Sequence, residues 1–140
     1  MVYIDANYFI RLILKDIPEQ YDQAYKLINS GAKDEIQLLT STIAFFEVYW
    51  VLSSYYQIPK ARLAAALNVI LKMNFINLPE RTILSKAVVE FEQTNFGLED
   101  CYHLCYAKEL RIDSFATFDK KLSRKFKNLK KQSKNERRHV

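Results

Sequence analysis

At 140 residues the chain is long enough for one domain with a proper core and too short for two comfortable ones. With 49% of its residues hydrophobic, and nine Tyr and nine Phe among them, it reads as globular. No run of about 18 apolar residues exists, so no membrane span is expected. The first residues also lack the basic segment, apolar core and cleavage site of a signal peptide, so the cytoplasm is the expected compartment.

The elements follow in chain order. Val2, Tyr3 and Ile4 are strand formers, and an apolar run of this kind suits a buried strand of a parallel sheet. A short helix is predicted over residues 8–14. Pro18 suits the first turn of the next helix, which runs to about Asn29 and stops at Gly31. Residues 35–39 read as a second strand, and Thr40, Ser41 and Thr42 offer caps for the helix after it. That helix, IAFFEVYWVLSSYY, is apolar nearly all round and is expected to be buried. Pro59 opens another, with Leu63, Leu67, Ile70 and Leu71 at helical spacing. Residues 75–78 form a short strand, and Pro79 starts a helix carrying Ile83, Leu84, Ala87, Val88 and Phe91. Gly97 precedes the helix LEDCYHLCYAKELR. Residues 113–118 return to strand character, and Asp119 stands before the short helix KKLSRKF. Strands separated by helices imply right-handed crossovers and a parallel sheet, an α/β fold.

Four acids occupy notable places, and each has a plain reading. Asp5, or Asn7 two residues on, would cap the first helix. Asp100, in the first turn of its helix, would complement the helix dipole. Asp119 would cap KKLSRKF. Glu47, flanked by aromatics, would be a paired structural carboxylate, because burying it unpaired costs several kcal/mol. Together they read differently. Asp5 and Asp119 end predicted strands, at the edge where such sheets place their chemistry. Asp100 opens a helix at that edge, and Glu47 lies on a helix that leaves it. Carboxylates about 4 Å apart repel by roughly 4 kcal/mol at an effective dielectric near 20, so a cluster of them needs a hard cation. Oxygen-only donors suit Mg²⁺ or Mn²⁺, whose usual work is to activate water at a phosphate.

The four acids sit in four motifs: VYIDAN with Asp5, TSTIAFFEV with Glu47, GLEDCYHLCYA with Asp100 and ATFDKKL with Asp119. In that order the chain resembles a PIN domain over residues 1–126, and within that superfamily the VapC-type toxins of toxin–antitoxin pairs. The resemblance implies a parallel sheet sandwiched between helices and metal-dependent endoribonuclease activity. Asp5, Glu47, Asp100 and Asp119 would be its catalytic, metal-binding acids, with Mg²⁺ or Mn²⁺ as cofactor. Asn7 and Thr117 match supporting polar positions. His103, one helical turn from Asp100, matches a position often held by His, though a packing or hydrogen-bonding role is the plainer reading. RNA substrate, a cognate antitoxin and a homodimer would be the partners, with the helix over residues 43–52 and Tyr55 and Tyr56 as interface material. Family members usually add a fifth strand after the last acid's helix. Here that stretch is basic, so the sheet has four strands, or five if residues 127–131 add a ragged edge.

The net charge of +5 is unevenly held. Residues 120–140 carry ten Lys or Arg against one acid, Glu136, a balance of +9, which leaves −4 on residues 1–119. Such a block reads as a solvated, mobile arm that favours polyanions, either a solubility tail or a nucleic-acid contact. Residues 127–140 are therefore set apart as a basic tail, and Lys120, Lys121, Arg124 and Lys125 as RNA-contact candidates. Cys101 and Cys105 share a helix face and read as buried free thiols. The main alternative is an inactive PIN-like module that binds RNA through the tail. A haloacid-dehalogenase-type phosphatase would want an acid where Asn7 stands, and a receiver domain fits the position of Lys120 poorly.

Overall fold

The computed structural model describes residues 1–139. Three short parallel strands, β1 (Val2–Tyr3), β2 (Leu38–Leu39) and β3 (Ile76–Asn77), pair in the order β1-β2-β3, with Val2 beside Leu38 and Leu38 beside Ile76. The ladder runs one residue past β1 and β2, because Ile4 N–H donates to Leu39 O and Thr40 N–H to Asn77 O. Each strand falls inside its predicted span but is shorter. Buried Thr40 donates its hydroxyl to Ile4 O at 2.8 Å, tying together the ends of the two strands just before Asp5.

Seven α-helices flank the sheet: α1 (Ala6–Leu14), α2 (Pro18–Ala32), α3 (Thr42–Trp50), α4 (Lys60–Lys72), α5 (Arg81–Gln93), α6 (Leu98–Glu109) and α7 (Lys120–Arg138). The caps follow local chemistry. Pro18 takes the first turn of α2, and the Ser41 hydroxyl accepts from Ala44 N–H at the start of α3. Helix α2 approaches β2 closely at Gly31, where an added Cβ would lie 2.2 Å from Leu38 Cδ1, so this crossing needs a residue without a side chain. The main core gathers Ile4, Phe9, Ile10, Leu38, Phe45, Leu52, Leu67, Leu84 and Val88, among others. A second, smaller cluster of Leu104, Ala107, Leu122 and Phe126 joins α6 to α7.

Four expectations are corrected. Residues 113–118 pair with no strand, so the sheet has three strands rather than four or five. The alternation in SFATF is real, but Phe115 stacks on Phe126 of α7 at 5.2 Å, and Phe118 points wholly into solvent. The helix containing Glu47 is not buried all round. Phe45, Phe46 and Val48 are covered, while Ile43, Glu47 and Trp50 share an exposed stripe at helical spacing. That helix also does not run evenly to Tyr56. It widens into a π-helical turn over Val51–Tyr55, closed by Tyr56 N–H donating to Val51 O, and Tyr56 packs against the core instead of standing exposed beside Tyr55. Finally, the basic end is no loose arm within the described residues. It continues α7 without a break to Arg138, because Leu122, Phe126 and Leu129 recur at i, i+4 and i+7 and give the helix an apolar stripe to dock.

Candidate functional site

Strand β1 and buried Ile4 deliver Asp5 to the surface at the start of α1. There Asp5 caps the helix, its Oδ1 accepting from Asn7 N–H at 3.0 Å, and Oδ2 stays free. Asp5 and Asn7 line an open cavity with Tyr8 and Arg11. Arg11 is held by two 2.7 Å hydrogen bonds to Asp16, which lower the Asp16 pKa and raise that of Arg11.

A second open cavity brings together Asp100, His103, Thr117 and Asp119. Asp100 lies in the first turn of α6, half-buried. Burial, and after it the like charges of Asp119 and Glu99, push its pKa up, with His103 opposing them. Asp119 caps α7: its Oδ1 accepts from Lys121 N–H at 2.9 Å and from Leu122 N–H at 3.0 Å. One oxygen is therefore fully engaged and the other is free to face the cavity. Thr117 steadies the approach, its hydroxyl accepting from Asp119 N–H at 3.1 Å. The plain capping readings of Asp5 and Asp119 thus both hold, and neither consumes the whole carboxylate.

Glu47 lines neither cavity and is exposed, because the 100° step of a helix turns it away from Phe45 and Val48. Its helix nevertheless lies against the start of α6. Trp50, one turn after Glu47, donates its indole N–H to Glu99, and Leu98 N–H donates to the Tyr49 hydroxyl at 3.4 Å. Glu80 joins the same contact, accepting from Thr42 and from Tyr102, whose pKa burial and Glu80 push up to about 12. Sequence reasoning missed Trp50, Glu80, Glu99 and Tyr102. Their partners lie 22 to 49 residues away, and no local spacing announces such pairs. Of the basic candidates, Lys120, Lys121 and Arg124 are exposed on α7, while Lys125 faces Glu90 at 3.8 Å. Cys101 and Cys105 are buried free thiols, as expected.

Among the described residues no group of three His, Cys, Asp or Glu side chains stands close enough to hold a metal ion. The fit to a hard cation rests on a smaller set, the carboxylates of Asp100 and Asp119. Mg²⁺ is usually held by one or two carboxylates, several waters and substrate phosphates, so a two-carboxylate site in an open cavity suits it. A bound cation would favour the charged form of Asp100, which burial and then the neighbouring acids Asp119 and Glu99 disfavour.

No curated protein and no solved structure gives a significant match to the chain. The family model of the PIN domain matches residues 2–127, almost the whole chain, and the chain therefore belongs to the PIN-domain family, whose members are generally nucleases.

Proposed function

We propose that the protein is a metal-dependent endoribonuclease, with Asp5, Glu47, Asp100 and Asp119 as its acids and Mg²⁺ or Mn²⁺ as cofactor, and that it acts as the toxin of a toxin–antitoxin pair in the cytoplasm. The observation that carries the reading is the Asp100–Asp119 pair, two carboxylates that line one open cavity. When bound, the ion would supply charge neutralisation at the scissile phosphate and a more acidic water. The chain's own residues do the rest. Helix α7 holds Asp119 by two backbone N–H groups, which fixes the direction of its free oxygen. His103 adds a hydrogen-bonding group one turn from Asp100. Lys120 and Lys121, directly after Asp119, offer cations to the RNA backbone beside the cleaved bond. Asp5 and Glu47 would complete the site from β1 and α3 when substrate binds, since catalytic contacts often tighten only in the complex.

The test is RNA cleavage by the purified chain with Mn²⁺, with Mg²⁺ and with EDTA, beside Asp100→Asn. Metal-dependent cutting that vanishes in the variant supports the reading. Cutting that survives EDTA, or an Asp100→Asn protein that cuts at the parent rate, overturns it. One observation favours the rival, a binding module without catalysis: among the described residues no three acids converge. An intact protein that binds RNA but cuts none of a transcriptome-wide panel in Mn²⁺ would support that rival. The toxin role is tested by growth arrest on expression and its relief by the product of an adjacent gene. A homodimer through exposed Ile43, Trp50 and Tyr55 is tested by light scattering.

A further inference from the structure

Helix α7 carries a second pattern on its solvent side. Lys120, Arg124, Lys127, Lys131, Lys134 and Arg138 follow one another at steps of four and three residues, so they form one row along the helix. All six are exposed, and among the described residues none of them makes an ion pair. The two lysines of α7 that do face acids, Lys125 with Glu90 and Lys130 with Asp113, lie off this row toward the body. At 1.5 Å per residue the row extends about 27 Å. Beside it runs a second row at the same steps, the exposed amides Asn128, Gln132 and Asn135. The row begins at the residue after Asp119, the cap of α7.

We propose that this face of α7 is a docking surface for double-stranded RNA, which it holds beside the Asp100–Asp119 cavity. This rests on the reading of RNA as substrate and names the part of it that binds. A straight, rigid row of unpaired cations matches a backbone of regularly spaced phosphates. The amide row supplies donors and acceptors for 2′-hydroxyls, which an A-form duplex displays in its wide, shallow groove next to those phosphates. Single strands are a poorer fit, because their binders present aromatic rings for base stacking, and neither row contains one. A lipid surface is a poorer fit too, since the apolar side of α7, Leu122 and Phe126, is spent on the body. Residues 1–119, at −4, repel the same polyanion, so attraction is confined to the helix.

Binding is read by fluorescence anisotropy in EDTA, which separates docking from cleavage. The probes are an RNA duplex of about 20 base pairs, longer than the ~27 Å row, one of its strands, and a DNA duplex of the same sequence. The parent chain is expected to bind the RNA duplex at least tenfold tighter than either alternative. Replacing Lys127, Lys131 and Lys134 by Gln should reduce the slope of log affinity against log salt by about three, one for each phosphate no longer neutralised. Replacing Asn128, Gln132 and Asn135 by Ala should leave that slope unchanged and remove the preference for RNA over DNA. Circular dichroism confirms that both variants keep α7. Equal affinity for single and double strands, or a slope unchanged in the lysine variant, overturns the proposal. Metal-dependent cutting of a short single strand, measured separately, reports on the nuclease reading alone.

Discussion

Asp119 is asked to do two things, and a pair of substitutions separates them. As the cap of α7 it accepts hydrogen bonds of 2.9 and 3.0 Å from Lys121 and Leu122. As a charge it helps to raise the pKa of Asp100. Asp119→Asn keeps the cap and removes the charge, whereas Asp119→Ala removes both. The two neutral variants lose the same electrostatics, so their difference isolates the cap, about 1 kcal/mol. For a domain of this size that is roughly 4 °C in Tm. Against the parent, Asn loses a charge–dipole attraction of about 0.3–1 kcal/mol at the helix N-terminus. It gains relief of the repulsion with Asp100. An acid whose folded-state pKa is raised binds its proton more tightly folded than unfolded, so stability falls as pH climbs from the ordinary 3.8 through the raised folded value. The cost is fully developed once the pH exceeds the raised folded value, and well below 3.8 it is absent because Asp100 is protonated in both states. In EDTA at pH 7 Asn is expected to melt within about 4 °C of the parent, the dipole loss and the relieved repulsion opposing each other, with Ala about 4 °C below Asn. Far-UV circular dichroism reads the melts, and cleavage in Mn²⁺ reads function, which both variants should lose. Equal melting of Asn and Ala would refute the cap. An Asn variant that melts more than about 4 °C below the parent at pH 7, further than the lost charge–dipole attraction accounts for, would refute the repulsion.

The remaining predictions concern the frame around the site. Arg81 donates to the backbone oxygens of Leu71, Met73 and Ile76, and burial lowers its pKa, so Arg81→Met should cost about 2–3 kcal/mol in urea unfolding by leaving those carbonyls unpaired. A loss under about 0.5 kcal/mol would mean that water replaces the guanidinium freely. Phe126→Ala empties the centre of the α6–α7 cluster and should cost about 3–4 kcal/mol, with the helical signal of α7 lost before that of the core. A single unchanged transition would show that α7 does not depend on this contact. Burial pushes the Cys105 thiol up to about 11, so neither it nor Cys101 should react with a disulfide reagent at pH 8 until the protein unfolds. Stoichiometric labelling of the native chain would contradict that burial.

Much of the scaffold can be read from single residues, because the deciding interactions are local. Pro18 and Pro59 mark helix starts and Val2-Tyr3-Ile4 marks the first strand, whereas Gly31, read as a helix stop, lies inside α2 where it passes close to β2. Local spacing fails where a distant partner decides. Residues 113–118 alternate as a strand should, but Phe115 is claimed by Phe126 of α7, and a strand without a neighbour has no ladder. Counting along the chain places Glu47 among aromatics, whereas around the helix axis it faces water. In the basic end, the charges draw attention from three apolar residues at helical spacing, although Leu122, Phe126 and Leu129 are the informative ones. Of the four acids that the sequence draws into one cluster, Asp100 and Asp119 line one cavity with His103 and Thr117, Asp5 lines another, and Glu47 lines neither. Nor does the sequence reveal the contact between α3 and α6 through Trp50 and Glu99.

The division of charge between α7 and the rest has a kinetic consequence. With +9 on residues 120–140 and −4 on residues 1–119, the molecule is an electric dipole as well as a cation. In the field of a polyanion it turns before it touches, so a larger share of diffusional collisions begins with α7 foremost. Association should then approach the steered regime of about 10⁸ M⁻¹s⁻¹ at low ionic strength and fall steeply as salt shortens the Debye length from about 30 Å at 0.01 M to 10 Å at 0.1 M. The shorter length is only about a third of the helix, so the torque that orients the molecule fades before the attraction of individual lysines does.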